Sequence, residues 1–479
     1  MLAALLIGVA SCSFTNKNFE NPDKDKLLID LIAYVLEKGH FDPKTVDDDF
    51  SKNVYSDYLE ALDPLKRYFL QSDIDEFSKY ETLIDDQIKN SNIEFFNITY
   101  DRLMKRMGEA KEIYKEVLNN PFEYNQNESI SLDYENHPYA ANKKQLVEKW
   151  RKQLKFSALS RYADVLEPQK LTASVNDDLT DEELIESVTP SEGKKSGLTP
   201  KTPEEAEKES REATLKNMDE YFDFMDDLER KDWFTVYLNA ITEEFDPHTS
   251  YYAPEVKDRF DMDISGKFEG IGARLQKRND NIKIMEIISG GPAWREKKVE
   301  VGDEILKVAQ ENQEAVDVVG MRLDDAVKLI KGPKGTKVYL TVKRVDGTIE
   351  EVTITRDVVE LEESYAKSAL VKDGNRTFGL INLPKFYIDF DDYKERNASA
   401  DVATEITRLK AQGMEGLVLD LRDNGGGSLK TVVDMAGLFI KKGPVVQVKS
   451  TGQNKEVLEE RDESILWDGP LVILVNELS

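Results

Sequence analysis

From Leu27 to about Leu166, apolar residues recur at helical spacing, and Leu27, Leu28, Leu31, Ile32 and Val35 are set to share one face. Tyr58-Leu59-Glu60-Ala61-Leu62-Asp63-Pro64 reads as a helix end with proline beyond it. Asp73, with Glu76 three residues on, reads as an N-cap and its reciprocal partner. The dense aromatics Tyr55, Tyr58, Tyr68, Phe69 and Phe77 read as helix-packing core. Glu167 to about Glu212 is polar, with few large apolar residues, and reads as a solvated linker. The helical pattern resumes at Tyr221 and runs through Trp233, Phe234, Tyr237, Leu238 and Ile241. It stops near Pro247, which forces a turn. From about Met262 the period becomes two, with strands at Ile282 to Ile287, Val338 to Val342 and Val352 to Ile354, and one helix at Leu323 to Ile330. From Arg376 strands and helices alternate, which argues for an α/β layer. Strands are expected at Phe378 to Leu383 and Leu417 to Leu421, and helices at about Ala400 to Ala411 and Leu429 to Leu438. Leu471 to Leu478 reads as a last buried strand carrying Ser479.

Composition narrows the function classes. A chain of 479 residues can hold several cores, and its apolar fraction of 40% is that of a globular protein. Its net charge of −28 repels phosphate backbones, which argues against nucleic acid as a partner. The single cysteine excludes an intrachain disulfide. Cys12 follows the apolar run Leu2 to Ser11, too short to span a membrane and suited to a secretory signal. Val9-Ala10-Ser11-Cys12 resembles the bacterial lipobox, so Cys12 is the expected lipidation site. No Lys or Arg precedes the run, which fits Met1 as an internal methionine of a longer frame.

Two glycine clusters carry candidate chemistry. Gly270, Ile271, Gly272 and Ala273 precede the Ile282 strand region. Glycines on both sides of Ile271 let backbone N–H groups converge as an anion nest. A nest beside an edge strand, with a helix opposite, suits a peptide C-terminus; tight-turn glycines are the plainer alternative. Asn424-Gly425-Gly426-Gly427-Ser428 follows a strand and opens a helix. Such a turn can cradle phosphate, but GxGxxG and Gly-Lys-Ser/Thr spacings are absent. It can equally donate N–H bonds to a tetrahedral oxyanion, or simply let the helix pack closely. The histidines are His40, His137 and His248, so no Ser-His-Asp triad can form within the α/β segment, and none belongs to a metal-ligand motif. His248 reads as a hydrogen-bonded turn residue. A serine enzyme without histidine needs another base, and a desolvated lysine can serve.

The segments Gly291-Pro292-Ala293-Trp294, Gly302-Asp303-Glu304 and Gly332-Pro333-Lys334-Gly335, in that order after the nest, resemble a PDZ domain of the bacterial protease type. With Tyr68-Phe69-Leu70-Gln71-Ser72-Asp73, Phe245-Asp246-Pro247-His248-Thr249-Ser250 and Leu419-Asp420-Leu421-Arg422 leading into Gly425, the chain resembles a tail-specific protease, or C-terminal processing peptidase, of the Prc type. The resemblance implies a multidomain α+β fold. Residues 1–22 are signal and tether, 23–166 an N-terminal helical domain, and 167–212 an acidic linker. Residues 213–261 are a helical part of the protease core, 262–357 the mostly β PDZ domain, and 358–479 an α/β core incomplete at its C-terminus. It also implies an envelope serine endopeptidase with a Ser/Lys dyad and no cofactor, whose PDZ domain senses apolar C-termini of protein substrates and gates the site. Gly426 and Gly427 line the oxyanion region. Ser479 matches the first serine of a Ser-Ala-Ser-Ala-Ser-Glu run, which puts the nucleophile just beyond it and leaves the 479 residues without the dyad and inactive. Expected partners are protein substrates, an adaptor lipoprotein and the membrane through Cys12. The rival reading is a non-catalytic PDZ adaptor on a degenerate protease body.

Overall fold

The computed structural model describes residues 22–166, 201–390, 392–449 and 454–479, and contacts divide the chain into two compact units after Tyr251. Cys12 and residues 167–200 of the expected linker lie outside the described residues.

The first unit is helical: α1 (Pro22–Gly39), α2 (Asp48–Leu62), α3 (Gln71–Phe77), α4 (Ile84–Lys89), α5 (Glu94–Leu118), α6 (Lys143–Leu166), α7 (Pro203–Asp227) and α8 (Arg230–Glu243). One apolar core runs through them, centred on Tyr58, Phe95, Phe96 and Tyr237, with Tyr58 and Tyr237 edge to face at 4.9 Å. Phe222, Trp233 and Phe234 are buried in that same core, so of residues 213–261, expected as a helical part of the protease core, those up to Tyr251 belong to the helical unit instead. The linker also ends sooner than its composition suggests. Thr202 accepts from Glu205 N–H while Glu205 bonds back to Thr202 N–H, and this reciprocal cap starts α7 at Pro203. On α1 the buried face is Ile29 and Leu36, whereas Leu27, Leu31 and Val35 are 68, 56 and 54% exposed. Of the face read from the sequence, Leu28 and Ile32 pack against the core, while Leu27, Leu31 and Val35 are turned outward.

The Asp63-Pro64 corner is structural. The buried Asp63 carboxylate accepts from the N–H groups of Arg67 (2.7 Å), Tyr68 (2.9 Å) and Phe69 (2.9 Å). Asp73 is not an N-cap but the third residue of α3, accepting from Leu70 N–H at 2.9 Å. Glu76 turns away from it to Arg102 (2.7 Å). Asp73 is 1% exposed and gripped by Arg106 (2.8 and 2.9 Å) and by Arg102. Burial alone would raise its carboxyl, but the bonds from Arg106, Leu70 and Arg102 outweigh it and hold the group below the usual carboxylate range. A depressed carboxylate contributes stability that is complete above its unfolded value, about 3.9, and is lost as pH falls through the folded value. Asp73→Asn should therefore destabilise the helical unit at neutral pH by about 3 kcal/mol and flatten its acid unfolding below about pH 4. Urea titrations at pH 7 and pH 3 would check both.

The second unit opens with α9 (Pro254–Ser265) and β1 (Lys267–Gly270). An antiparallel sheet follows: β2 (Ala273–Arg278), β3 (Asn281–Ile287), β4 (Glu304–Gln310), β5 (Val316–Asp317), β6 (Lys337–Lys343) and β7 (Ile349–Thr355). The order is β2-β3-β4-β6-β7 with β5 on β4, and the helices are α10 (Pro292–Glu296) and α11 (Leu323–Ile330). Ile282, Ile284, Ile305, Val338 and Leu340 fill the core, as the period-two pattern predicts. β8 (Asp357–Glu360) then returns beside β1, from Lys267 opposite Glu360 to Gly270 opposite Asp357. The chain leaves this domain next to where it entered, as an inserted domain must.

The remaining layer has β9 (Lys367–Asp373), β10 (Arg376–Asn382), α12 (Ala398–Ala411), β11 (Gly416–Asp420), α13 (Leu429–Ala436), the hairpin β12 (Gly443–Val448) and β13 (Glu456–Glu460), and β14 (Leu471–Leu474). Its sheet runs β14-β11-β10-β9, with β10, β11 and β14 parallel and β9 antiparallel. β14 departs from expectation. It stops at Leu474, and Val472 and Ile473 are 54 and 51% exposed, because the strand forms the sheet edge. Asn476 ends it by turning the chain: its Oδ1 accepts from Asp423 N–H (2.9 Å) and its Nδ2 donates to Asp423 Oδ1 (2.7 Å).

Candidate active site

The glycine turn lies at the C-terminal ends of the parallel strands β11 and β14, where open α/β sheets place their sites. At its start, buried Asp420 binds Arg422 (2.7 and 2.9 Å), and those bonds first of all hold its carboxyl below the usual range. Buried Asn424 is a bracket: its Nδ2 donates to Leu383 O (2.9 Å) and its Oδ1 accepts from Gly426 N–H (2.9 Å). The turn then enters backbone open to glycine, with φ of 104° at Gly426 and 142° at Gly427. Ser428 caps α13 by accepting from Thr431 N–H (3.3 Å).

Phe386 clasps the turn from the far side. Its N–H donates to Gly426 O and its carbonyl accepts from Ser428 N–H, both at 2.9 Å. A Cβ on Gly427 would lie 2.4 Å from Phe386 O, so this close approach requires glycine. Of the two expected oxyanion residues, Gly426 has its N–H taken by Asn424. Gly427 N–H meets no acceptor among the described residues and is the open donor. The segment holding Phe386 is tied down by Lys385 on Asp263 of α9 (2.8 Å) and Asp389 on Lys267 (2.7 Å). Sequence reasoning missed both Phe386 and Asn424. Asn424, immediately before three glycines, carried a signal; Phe386, 41 residues from Gly427, carried none. Ser479 reaches the same end of the sheet, its Oγ donating to Leu421 O at 2.7 Å. His248 is exposed and bonded to Asp246 (3.1 Å), a turn residue. Among the described residues no group of three or more His, Cys, Asp or Glu could hold a metal, and no helix is long and apolar enough to cross a membrane.

The second glycine cluster heads the edge strand β2. Gly272 has φ of 76°, and a Cβ there would lie 3.1 Å from Gly291 Cα. Its carbonyl accepts from Ile288 N–H (2.9 Å) and that of Ile271 from Ala293 N–H (2.8 Å). Both carbonyls thus face the domain, while the N–H groups of Ile271 and Gly272 meet no backbone acceptor among the described residues. Gly270 is hydrogen-bonded across β1 to Asp357, whereas Ala273 stands opposite Ile287 as the non-hydrogen-bonded pair beside the Ile288–Gly272 bond, so its N–H lies on the open edge of β2 with those of Ile271 and Gly272. α11 packs over β2. At its C-terminal end the buried Arg356 guanidinium donates to Ile330 O (2.8 Å) and Leu329 O (2.9 Å), and burial holds its pKa below the usual arginine value. Gly332 lies on that guanidinium, which explains the glycine of the Lys331-Gly332-Pro333 turn as a packing requirement. On its outer face α11 pairs with α9, through Lys328 to Glu255 (2.9 Å) and Asp324 to Arg259 (3.4 Å).

Comparison with known proteins agrees with this layout. Residues 32–255 match the family model of the tail specific protease N-terminal domain, 261–343 that of the PDZ domain and 377–479 that of peptidase family S41. The first match ends past α8, in keeping with the shared helical core. A tail-specific protease of Haemophilus influenzae is 33% identical over 93% of this chain and 57% of its own length. The carboxy-terminal processing protease CtpA of Bacillus subtilis is 34% identical over 48% of this chain and 46% of its own. A solved PDZ domain of a carboxy-terminal protease from Vibrio cholerae, in complex with peptide, is 49% identical over 20% of this chain and 99% of its own, with a TM-score of 0.19. The chain spans about half the length of these two curated proteases. With the helical domain, the inserted PDZ domain and the S41 layer in this order, the chain belongs to the family of tail-specific, C-terminal processing proteases.

Proposed function

We propose that the whole protein is a serine endopeptidase of the bacterial envelope, anchored through a lipid on Cys12, that selects protein substrates by an apolar C-terminus. The observation that carries this reading is the pair of open N–H groups on Ile271 and Gly272 at the head of the edge strand β2. A C-terminal carboxylate would take those donors, the peptide would extend the sheet along β2, and its last side chain would enter beside α11. Gly427 N–H would meet the oxyanion, with a serine nucleophile just beyond Ser479 and a lysine base. Gating has a route in the ion pairs that join α11 to α9 and α9 to the Phe386 segment. An adaptor lipoprotein fits this scheme as a means of delivery.

Peptides ending in an apolar residue should bind the chain, and amidation of that terminus should weaken binding at least tenfold. Charge-assisted bonds to a carboxylate contribute about 1.5–3 kcal/mol together with their geometry. Fluorescence anisotropy on matched acid and amide peptides measures the ratio. Equal affinities would remove the basis of the proposal.

A further inference from the structure

A cavity of about 400 Å³ opens in the helical unit, between α6 and the loop that precedes it. It falls within the size range of small-ligand sites. Its walls include Ser129, Ser131, Tyr134, His137, Lys149 and Lys152. The lysines here are unusual for a chain of net charge −28. Lys149 donates to Lys66 O (3.1 Å) and Pro138 O (3.2 Å), and Lys152 to Ser129 O (3.2 Å). Lys66, alongside, donates to Glu135 O (2.6 Å) and His137 O (2.8 Å). All three ammonium groups are thus spent on neutral carbonyls, and among the described residues none has a carboxylate within ion-pair distance. The one rim carboxylate, Glu148, is bound by Arg151 (2.7 Å).

The resulting positive field is visible in its neighbours. Burial, then Lys149 and Lys66, hold the His137 ring below its ordinary pKa, and burial does the same to Lys149. Asp63 acts through space on Lys149, Asp133 on Lys66 and Glu148 on Lys152, but none of these carboxylates touches its lysine. An anion in the cavity would therefore be the first counter-charge in direct contact, in a partly desolvated place where such a contact is strong. Gln153 donates through Nε2 to Leu65 O (3.2 Å). Tyr134, Pro138 and Tyr139 supply apolar surface beside these groups.

We propose that this cavity binds an anionic phosphate ester, with Lys149 and Lys152 on the phosphate. Two sources share that chemistry: a soluble phosphorylated polyol and a phospholipid headgroup. Calorimetric titration of the full chain with glycerol phosphate, with glycerol as control, tests the first. Flotation with phosphatidylcholine vesicles, with and without phosphatidylglycerol, tests the second. Binding in either arm is expected to fall about tenfold in Lys149→Gln and in Lys152→Gln, and glycerol is expected not to bind. Lys152 makes one carbonyl bond, so its variant keeps the helical fold, and circular dichroism verifies this for both. Phosphatidylglycerol-dependent flotation without glycerol phosphate binding would assign the lipid source. The proposal is overturned if neither arm shows saturable binding, or if binding survives both substitutions unchanged.

Discussion

Gly427→Ala is expected to dislodge the glycine turn. The added Cβ would stand 2.4 Å from Phe386 O, 2.8 Å from its carbonyl carbon and 3.0 Å from its nitrogen, all backbone atoms that cannot rotate away. The residue would also be held at φ of 142°, which alanine rarely adopts. Overpacking and backbone strain each cost about 1–3 kcal/mol, so the α/β layer should lose about 2–5 kcal/mol, or shed the Phe386 contacts to avoid it. On the proposed role of Gly427 N–H as an oxyanion donor, turnover of the whole protein should fall at least about 100-fold. Gly426→Ala is the graded control. Its Cβ would meet nothing within 4 Å, so only the strain at φ of 104° remains. Urea unfolding followed through Trp467, buried in that layer, reads the first effect and peptide cleavage the second. Equal midpoints for Gly427→Ala and Gly426→Ala would show that the Phe386 approach is not the constraint argued here.

Gly272→Val should remove peptide binding. Valine at φ of 76° is strained, and its Cβ would press on Gly291 Cα at 3.1 Å and on Val359 Cγ2 at 3.4 Å. Relief requires the loop to move, which takes the Ile271 and Gly272 N–H groups out of register with β2. Affinity for an apolar C-terminal peptide should fall at least about 100-fold, equivalent to about 2.7 kcal/mol. Gly290→Val separates this from simple strain. Its φ of 78° is nearly the same, yet a Cβ there meets nothing within 4 Å. It should lose stability to a similar degree and keep its peptide affinity. Parallel loss of binding in both variants would mean that strain, not the carboxylate loop, had been measured.

What the sequence disclosed depended on the range of the interaction. α11 was legible to the residue, Leu323 to Ile330, because its apolar spacing and the turn after it are local. The two glycine clusters were legible as places where backbone must come close to something. What it comes close to was not: Phe386 is brought to Gly427 only by the parallel pairing of β10 with β11. Polar composition hid the start of α7, although Thr202 and Glu205 carried the capping signal. β14 was misjudged in the opposite sense. An unbroken apolar run identifies a strand, but whether both faces are covered depends on its place in the sheet. The exposed Leu27 and Leu31 repeat that lesson on a helix.

The pairing of β1 with β8 has an evolutionary meaning. Residues 271–356 leave and rejoin the host fold through one short two-stranded stem, from Lys267 opposite Glu360 to Gly270 opposite Asp357. Beyond that stem the PDZ domain fills its own core, and the sheet of β9, β10, β11 and β14 supplies none of its strands. Such a cassette can be exchanged for another whose ends meet at the same spacing. The inserted domain and its host are then free to diversify at different rates within one gene.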